Sequence, residues 1–525
     1  MKKIIVVAIA LISIAKAEAQ TLKDAIKLTD NEQFDAATRA FKSLIQTSPT
    51  MGENYFYAGE NYFKSEKLDS AQMMYTKGAE MNATYPVNFV GLGKVQWYKG
   101  KYDDAKANFL KATTMSNNKN ALVLMKIAEC YTQADKKDIM TAMTLLTAAA
   151  KLEPKNPEVF ILTGDAYLEN NNDGSNAIKN YEKAAELDKS SVKAILRIGQ
   201  LYGHARNYNL ALDYYKRAAL IDSSFAPAYR EQGELYYMAK QYSTAKAKYK
   251  RFLELSSNNL TARTRYASFL FLNKEYASAI GEIKEIQKSD TSNNVLNRLM
   301  AYCYFETNDF VNGVSKMNTF FARAPKENTK IIASDYEYQG KLLIKTNSDS
   351  LGIEKLNKAI DMDTAKTDLY SEIASSYFKQ KKYPQSISNY EKKIAMGKPT
   401  ANDYFGLGRA NYFSKDFVKA DSAFAQVTRT NPDLSVGYLW RAKSNTQLDP
   451  NNEKALAKPY YEQFTAKVKP EEAEKNKKDL IEAYSYLGYL SMKQKDNASA
   501  KTYWQKVIEL DPANKKATDA FASFK

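Results

Sequence analysis

Small and large apolar residues recur along this chain in a fixed order. In VNFVGLGKVQWYKGKYDDAKANFLKAT (Val87–Thr113), Gly93 is followed nine residues later by Tyr102, then by Ala105, Phe109 and Ala112. The same order runs through Ala228–Leu255 (Gly233, Tyr242, Ala245, Tyr249, Phe252) and Asp403–Val427 (Gly408, Phe417, Ala420, Phe424, Val427). Apolar residues three and four apart mark one face of a helix, and two such stretches joined by a short polar segment predict an antiparallel helix pair. Small residues such as Gly199 and Ala211 let the two helices approach, and Tyr202, Tyr208 and Tyr215 are expected to fill the space beside them. One pair alone leaves apolar surface in water, so neighbouring pairs must stack.

The small residue of the first helix can be followed through the chain as Gly59, Gly93, Ala128, Gly164, Gly199, Gly233, Ala267, Ala301, Gly340, Ala374, Gly408, Ala442 and Gly488, with 34 the commonest spacing. An alanine of the second helix recurs as Ala37, Ala71, Ala105, Ala142, Ala177, Ala211, Ala245, Ala279, Ala420 and Ala500, with Gly313, Gly352 and Ser386 standing in for it elsewhere. Pro49, Pro154, Pro325, Pro432 and Pro512 close repeats, because proline cannot donate into a helical ladder. This periodicity resembles the tetratricopeptide repeat family over nearly all of the chain. The resemblance implies an all-α, right-handed solenoid of about fourteen helix-turn-helix repeats. Residues 20–50 are expected to form a weak N-terminal repeat and residues 51–466 repeats two to thirteen. Residues 467–480 are a charged insertion, either lengthened helix or solvated loop. Residues 481–512 are the last repeat and residues 513–525 a capping helix.

The N-terminus departs from the pattern. Lys2 and Lys3 precede an apolar run, Ile4–Ala15, broken only by Ser13, and Ala17-Glu18-Ala19 is a small-x-small cleavage signal. Residues 1–19 are therefore expected to be a secretory signal peptide cut after Ala19, in preference to an uncleaved anchor. No cysteine follows the run to carry a lipid. The expected location is the periplasm or outer envelope of a bacterium. Export changes the meaning of the charge, which is +16 for the whole chain and +14 without the signal. Anionic envelope surfaces, acidic glycans or acidic proteins then become likelier counterparts than nucleic acid.

Chemistry-bearing residues are scarce. The one histidine, His204, cannot build a Ser/His/Asp triad without a partnered nucleophile, and with two distant cysteines it cannot hold zinc. Cys130 and Cys303 lie five repeats apart at slots filled elsewhere by Ala166 and Ala410, so both are expected to be packed thiols and not a disulfide. The strings Gly91-Leu-Gly93 and Gly406-Leu-Gly408 sit within helices and serve packing, not dinucleotide binding. No enzyme activity, cofactor or metal is expected.

By the family resemblance, five slots of each first helix line a concave groove. In repeats two to fourteen these slots hold eleven basic and eleven acidic residues, so the groove is charge-balanced and the positive excess lies elsewhere. A groove of this kind is poorly suited to tracking phosphates. The candidate contact residues are Phe56, Phe63, Trp97, Tyr98, Arg230, Tyr237, Arg298, Tyr302, Phe305, Phe378, Phe405, Arg409, Tyr412, Phe413 and Tyr489, led by the adjacent pairs Trp97/Tyr98 and Tyr412/Phe413. Aromatic residues among charges suit extended peptides or partner helices, and some of these slots equally suit packing between repeats. The Lys and Asn clamp with which some family members hold a chain terminus is not reproduced: its slots hold residues such as Phe56, Glu60, Phe405 and Arg409. The function expected is a protein-interaction scaffold, with glycan or cell-wall binding by the same aromatics as the alternative and a hidden hydrolase third.

Overall fold

The computed structural model describes residues 21–256, 260–397 and 399–524. The signal-peptide assignment over residues 1–19 lies outside them. The described residues contain no strand. Fourteen consecutive helix pairs run from Leu22–Asp30 with Phe34–Thr47 to Lys477–Lys493 with Asn497–Leu510, and a last helix spans Lys515–Ala522. The chain is thus an all-α repeat solenoid. It divides into two compact units, the first ending at Thr291 after eight pairs and the second running from Ser292 through six pairs and the terminal helix. No helix among the described residues is long and apolar enough to cross a membrane.

The packing rule is visible in the small residues. Every member of the second-helix alanine row from Ala37 to Ala500 is fully buried, and so is its substitute Ser386. Opposite the glycines of the first helices stand the large rings of the second: Tyr181 against Gly164, Tyr215 against Gly199, Phe424 against Gly408 and Trp504 against Gly488. The glycines of both Gly-Leu-Gly strings face such rings, from Tyr75, Phe109, Tyr390 and Phe424. Of the three tyrosines expected beside Gly199, Tyr215 is buried and Tyr202 stacks on Tyr214, whereas Tyr208, as the first residue of its helix, is 39% exposed.

A methyl group at Gly199 would lie 2.6 Å from the Tyr215 ring, so Gly199→Ala forces that ring aside. Overpacking of this kind costs about 1–3 kcal/mol. It outweighs the gain of up to about 1 kcal/mol from alanine's helix propensity. At Gly281, within the helix Tyr276–Gln287, nothing lies within 4 Å of the added carbon. Gly281→Ala is therefore expected to stabilise by about 0.5–1 kcal/mol. Urea midpoints of the two variants should move in opposite directions from the parent, and movement in the same direction would refute this packing rule.

Within a pair the turn is short because one residue takes a left-handed conformation and the next helix is capped at once. Lys415 has φ +66°, and Asp416 then accepts a hydrogen bond from the Lys419 amide. Asp309 and Asp496 cap their helices likewise. Second helices end at Thr47, Leu152, Arg323, Thr430 and Leu510, each two residues before one of the prolines singled out above. The extra length near the C-terminus is divided. Residues 449–457 form an extended connection held by the Asp449 carboxylate, which accepts from the amides of Glu453 and Lys454. Residues 467–480 hold the end of one helix, a short 3-10 turn (Pro470–Glu472) and the start of the seventeen-residue helix Lys477–Lys493, so lengthened helix and loop are both present.

The first unit closes on itself. The turn after its first helix lies against the connection between the sixth and seventh pairs. Asn31 donates to Ser224 at 2.9 Å and to Asp222, Gln33 donates to the Ser224 carbonyl, and Lys27 pairs with Asp222 at 3.0 Å. Just inside this seam, Glu32 pairs with Arg230, and Asp30 with both Lys64 and Lys193.

Candidate functional site

The charged slots of the first unit pair with one another. Glu60, immediately after Gly59, is buried and accepts from the Tyr75 hydroxyl at 2.6 Å and from Lys94 at 3.1 Å. Lys126 bridges Glu60 and Glu129. The same device recurs at two further acids that follow a small residue: Asp165 accepts from Tyr181 and pairs with Arg197, and Glu234 accepts from Tyr249 and pairs with Arg265. A tyrosine of the same repeat and a cation of a following repeat thus share one carboxylate. Burial raises the carboxyl of Glu60, but Lys94 and Lys126 outweigh it and hold the group below its ordinary value. Asp30 is brought down to about 2 in the same way by Lys64 and Lys193. At Asp165 burial wins over Arg197, and the carboxyl is raised. A cavity of about 260 Å³ remains, lined by these mutually satisfied groups.

Of the candidates in this unit, Phe56 and Trp97 are core residues, 1% and 3% exposed, and leave the groove set. Trp97 is held by Tyr102, Phe109 and Tyr131, and its indole N–H donates to the Lys136 carbonyl. Phe63 lies under the Lys94 ammonium and edge-on to Tyr98, which is 39% exposed. Arg230 belongs to the seam, and Tyr237 packs on Phe269 beneath Arg265. Both thiols are buried and free, and burial pushes each up to about 12, which makes them inert packing groups. His204 is an exposed residue at the end of its helix.

The second unit differs. Arg298 and Tyr302 are both spent on the buried Asp335, at 2.7 and 2.6 Å, and Tyr302 leaves the groove set as a core residue. Phe305 packs on Phe310 and Tyr338. Further along, the structure brings together Phe378, Phe405, Arg409, Tyr412 and Phe413, and adds Trp440, which lies outside the five slots. The Arg409 guanidinium lies 4.6 Å from the Phe378 ring centre and 5.9 Å from that of Trp440. Phe413 is 43% exposed at the edge of this cluster, and Tyr489, two repeats on, is 53% exposed.

Family models for the tetratricopeptide repeat match residues 89–119, 192–225 and 481–514. The C-terminal part of a repeat-containing protein from Cytophaga hutchinsonii is 36% identical, with 49% of this chain and 98% of that one covered at a TM-score of 0.45. This chain belongs to the tetratricopeptide repeat family. A tetratricopeptide repeat protein from Parabacteroides merdae is similar at 18% identity, over 48% of this chain and 98% of that one, with a TM-score of 0.33. Among curated proteins, anaphase-promoting complex subunit 3 of Schizosaccharomyces pombe is 25% identical over 191 residues, which is 35% of this chain and 27% of that subunit. Tetratricopeptide repeats serve as protein-interaction scaffolds, and by its repeats this chain is one.

Proposed function

We propose that this chain is a non-catalytic scaffold of the bacterial cell envelope that docks an extended segment of a partner protein on the first-helix face of its second unit, around Phe413. The observation that carries this reading is the contrast between the units. The inner charges of the first unit satisfy one another behind a closed seam, whereas the aromatic cluster of the second ends in an exposed Phe413 beside a guanidinium. Exposed rings among charges are the usual anchors of such interfaces. Pairing of the inner cations with carboxylates speaks against nucleic acid as the partner. The glycan reading draws on the same exposed rings and on Tyr489. Retention of envelope polysaccharide at about 0.5 M salt, where exposed charge pairs are screened, would favour it.

The test places a photo-crosslinking amino acid at Phe413, and separately at Val418 on the neighbouring second helix, in cells that make the full chain. Protein adducts are expected from position 413 and not from 418. The docking reading fails if 413 gives none while 418 does. Envelope localisation fails if the chain fractionates with the cytoplasm and keeps Met1.

A further inference from the structure

The seam of the first unit brings the turn between the helices Leu22–Asp30 and Phe34–Thr47 against the connection 222–225 and the helix Ala226–Met238. Asn31 measures how closely they fit. It is 2% exposed, whereas the residues one place before the left-handed position in other turns, Lys99, Ala205 and Ala239, are exposed. The cover over Asn31 is polar. The apolar clusters on the two sides share no member, and the seam is crossed by hydrogen bonds from Asn31 and Gln33 and by ion pairs of Lys27, Asp30 and Glu32. Such hydrogen bonds largely replace bonds to water. Ion pairs open to solvent contribute little and are screened by salt, and the Lys27 side chain is 60% exposed within its pair.

The inner groups that meet across the seam each have a second partner on their own side. Asp30 keeps Lys64 at 2.9 Å, Lys193 keeps Glu158 at 3.6 Å, Arg230 keeps Glu231 at 3.2 Å, and Asp222 keeps the hydroxyl and amide of Ser224. Lys27, Asn31, Glu32 and Gln33 lie at the turn and pass to water. Parting the seam therefore strands no buried charge, in contrast to the loss of a carboxylate such as Glu60. Glu32 has φ +58°, close to the values of Glu66 and Lys240 in the equivalent turns, so release of this turn needs no local refolding. While the seam is shut, the cavity behind it measures about 260 Å³. That is below the roughly 300–1,000 Å³ of ordinary ligand pockets, so the space admits no partner segment. We infer, separately from the docking role of the second unit, that the seam is a latch. The first repeat parts from the sixth and seventh while every helix stays folded, and the space behind the seam widens as it does so.

Thiol labelling of Asn31→Cys in the full chain reads the opening. Cys130 and Cys303 are buried and report unfolding in the same sample. Between about 0.05 and about 1 M sodium chloride the rate at position 31 is expected to rise about tenfold, because salt screens the ion pairs that cross the seam. Cys130 and Cys303 should stay unlabelled throughout. Adding Lys27→Gln with Glu32→Gln should bring the low-salt rate up to the high-salt value. Adding Lys42→Gln with Glu66→Gln, the same exchange at exposed positions outside the seam, should leave the rate as it was. Adding Ser224→Cys instead should let the two thiols join as a disulfide at low salt and end the labelling. A rate at position 31 that does not change with salt overturns the inference, and so does one that rises only together with Cys130 and Cys303. The seam is then either permanent or absent, and the disulfide yield tells which.

Discussion

Replacing Glu60 with alanine is expected to destabilise the first unit by about 3–5 kcal/mol, because the change strands buried charge. Glu60 is the common acceptor for Lys94, Lys126 and Tyr75, and the Lys94 side chain is itself only 3% exposed. Removing the carboxylate leaves one ammonium with no acid and the other leaning on Glu129 alone. A double replacement, Glu60→Leu with Lys94→Met, removes both members of the pair and should recover part of the loss, since well-packed apolar pairs commonly match buried ion pairs, while the buried Tyr75 hydroxyl still lacks its acceptor. The pH dependence has a definite sign. Glu60 and Glu129 are both held below their ordinary values against the opposing pull of burial. A depressed carboxyl contributes stability that is full above its unfolded value, about 4.3 for glutamate, and is lost as pH falls towards the folded value. Burial lowers and Glu129 with Glu60 raises the Lys126 ammonium, for a net rise well above normal, so its share is lost only as pH rises through that raised value. Thermal melts should therefore show a plateau at neutral pH and a fall below about pH 4.3. Glu60→Ala should flatten that acid limb. A melt of Glu60→Ala unchanged at pH 7 would mean that Lys94 and Lys126 find other partners.

Why the pattern of repeats could be read from the chain while the pairing of its charges could not follows from the range of each effect. The glycine row and its rings are local: Gly199 and Tyr215 belong to one pair of helices. The ion pairs cross to another repeat and depend on the rotation between stacked pairs, which a count of eleven cations against eleven anions does not contain. A usable signal was nevertheless present. An acid directly after the small residue, with a tyrosine fifteen or sixteen residues on, marks Glu60–Tyr75, Asp165–Tyr181 and Glu234–Tyr249. Asp335 lies outside the slots, and so its claim on Arg298 and Tyr302 was hidden. Trp440 escaped for a related reason: it lies beside a slot, and its ring reaches the Arg409 cluster from there. The seam between Asn31 and Ser224 spans 193 residues, and no local pattern encodes a contact of that range.

Trp97 and Tyr98 are adjacent, aromatic and equally plausible as groove residues by sequence, yet their substitutions should behave as those of different classes. Successive residues on a helix point about 100° apart, so the two take different surroundings. Trp97 faces the following repeat, enclosed by Tyr102, Phe109 and Tyr131 and bonded through its indole N–H to the Lys136 carbonyl at 2.8 Å. Trp97→Ala is expected to cost about 3–5 kcal/mol from the cavity alone. Loss of the hydrogen bond adds to this, and Trp97→Phe, which keeps a ring but not the donor, should fall between alanine and the parent. Tyr98 packs edge-on to Phe63 in the preceding repeat and leaves 39% of its surface exposed, so Tyr98→Ala should cost about 1 kcal/mol, well below Trp97→Ala. Denaturant unfolding of the three variants separates the two roles: equal midpoints for Trp97→Ala and Tyr98→Ala would return Trp97 to the surface, whereas a large gap fixes it as the wedge between the third and fourth repeats.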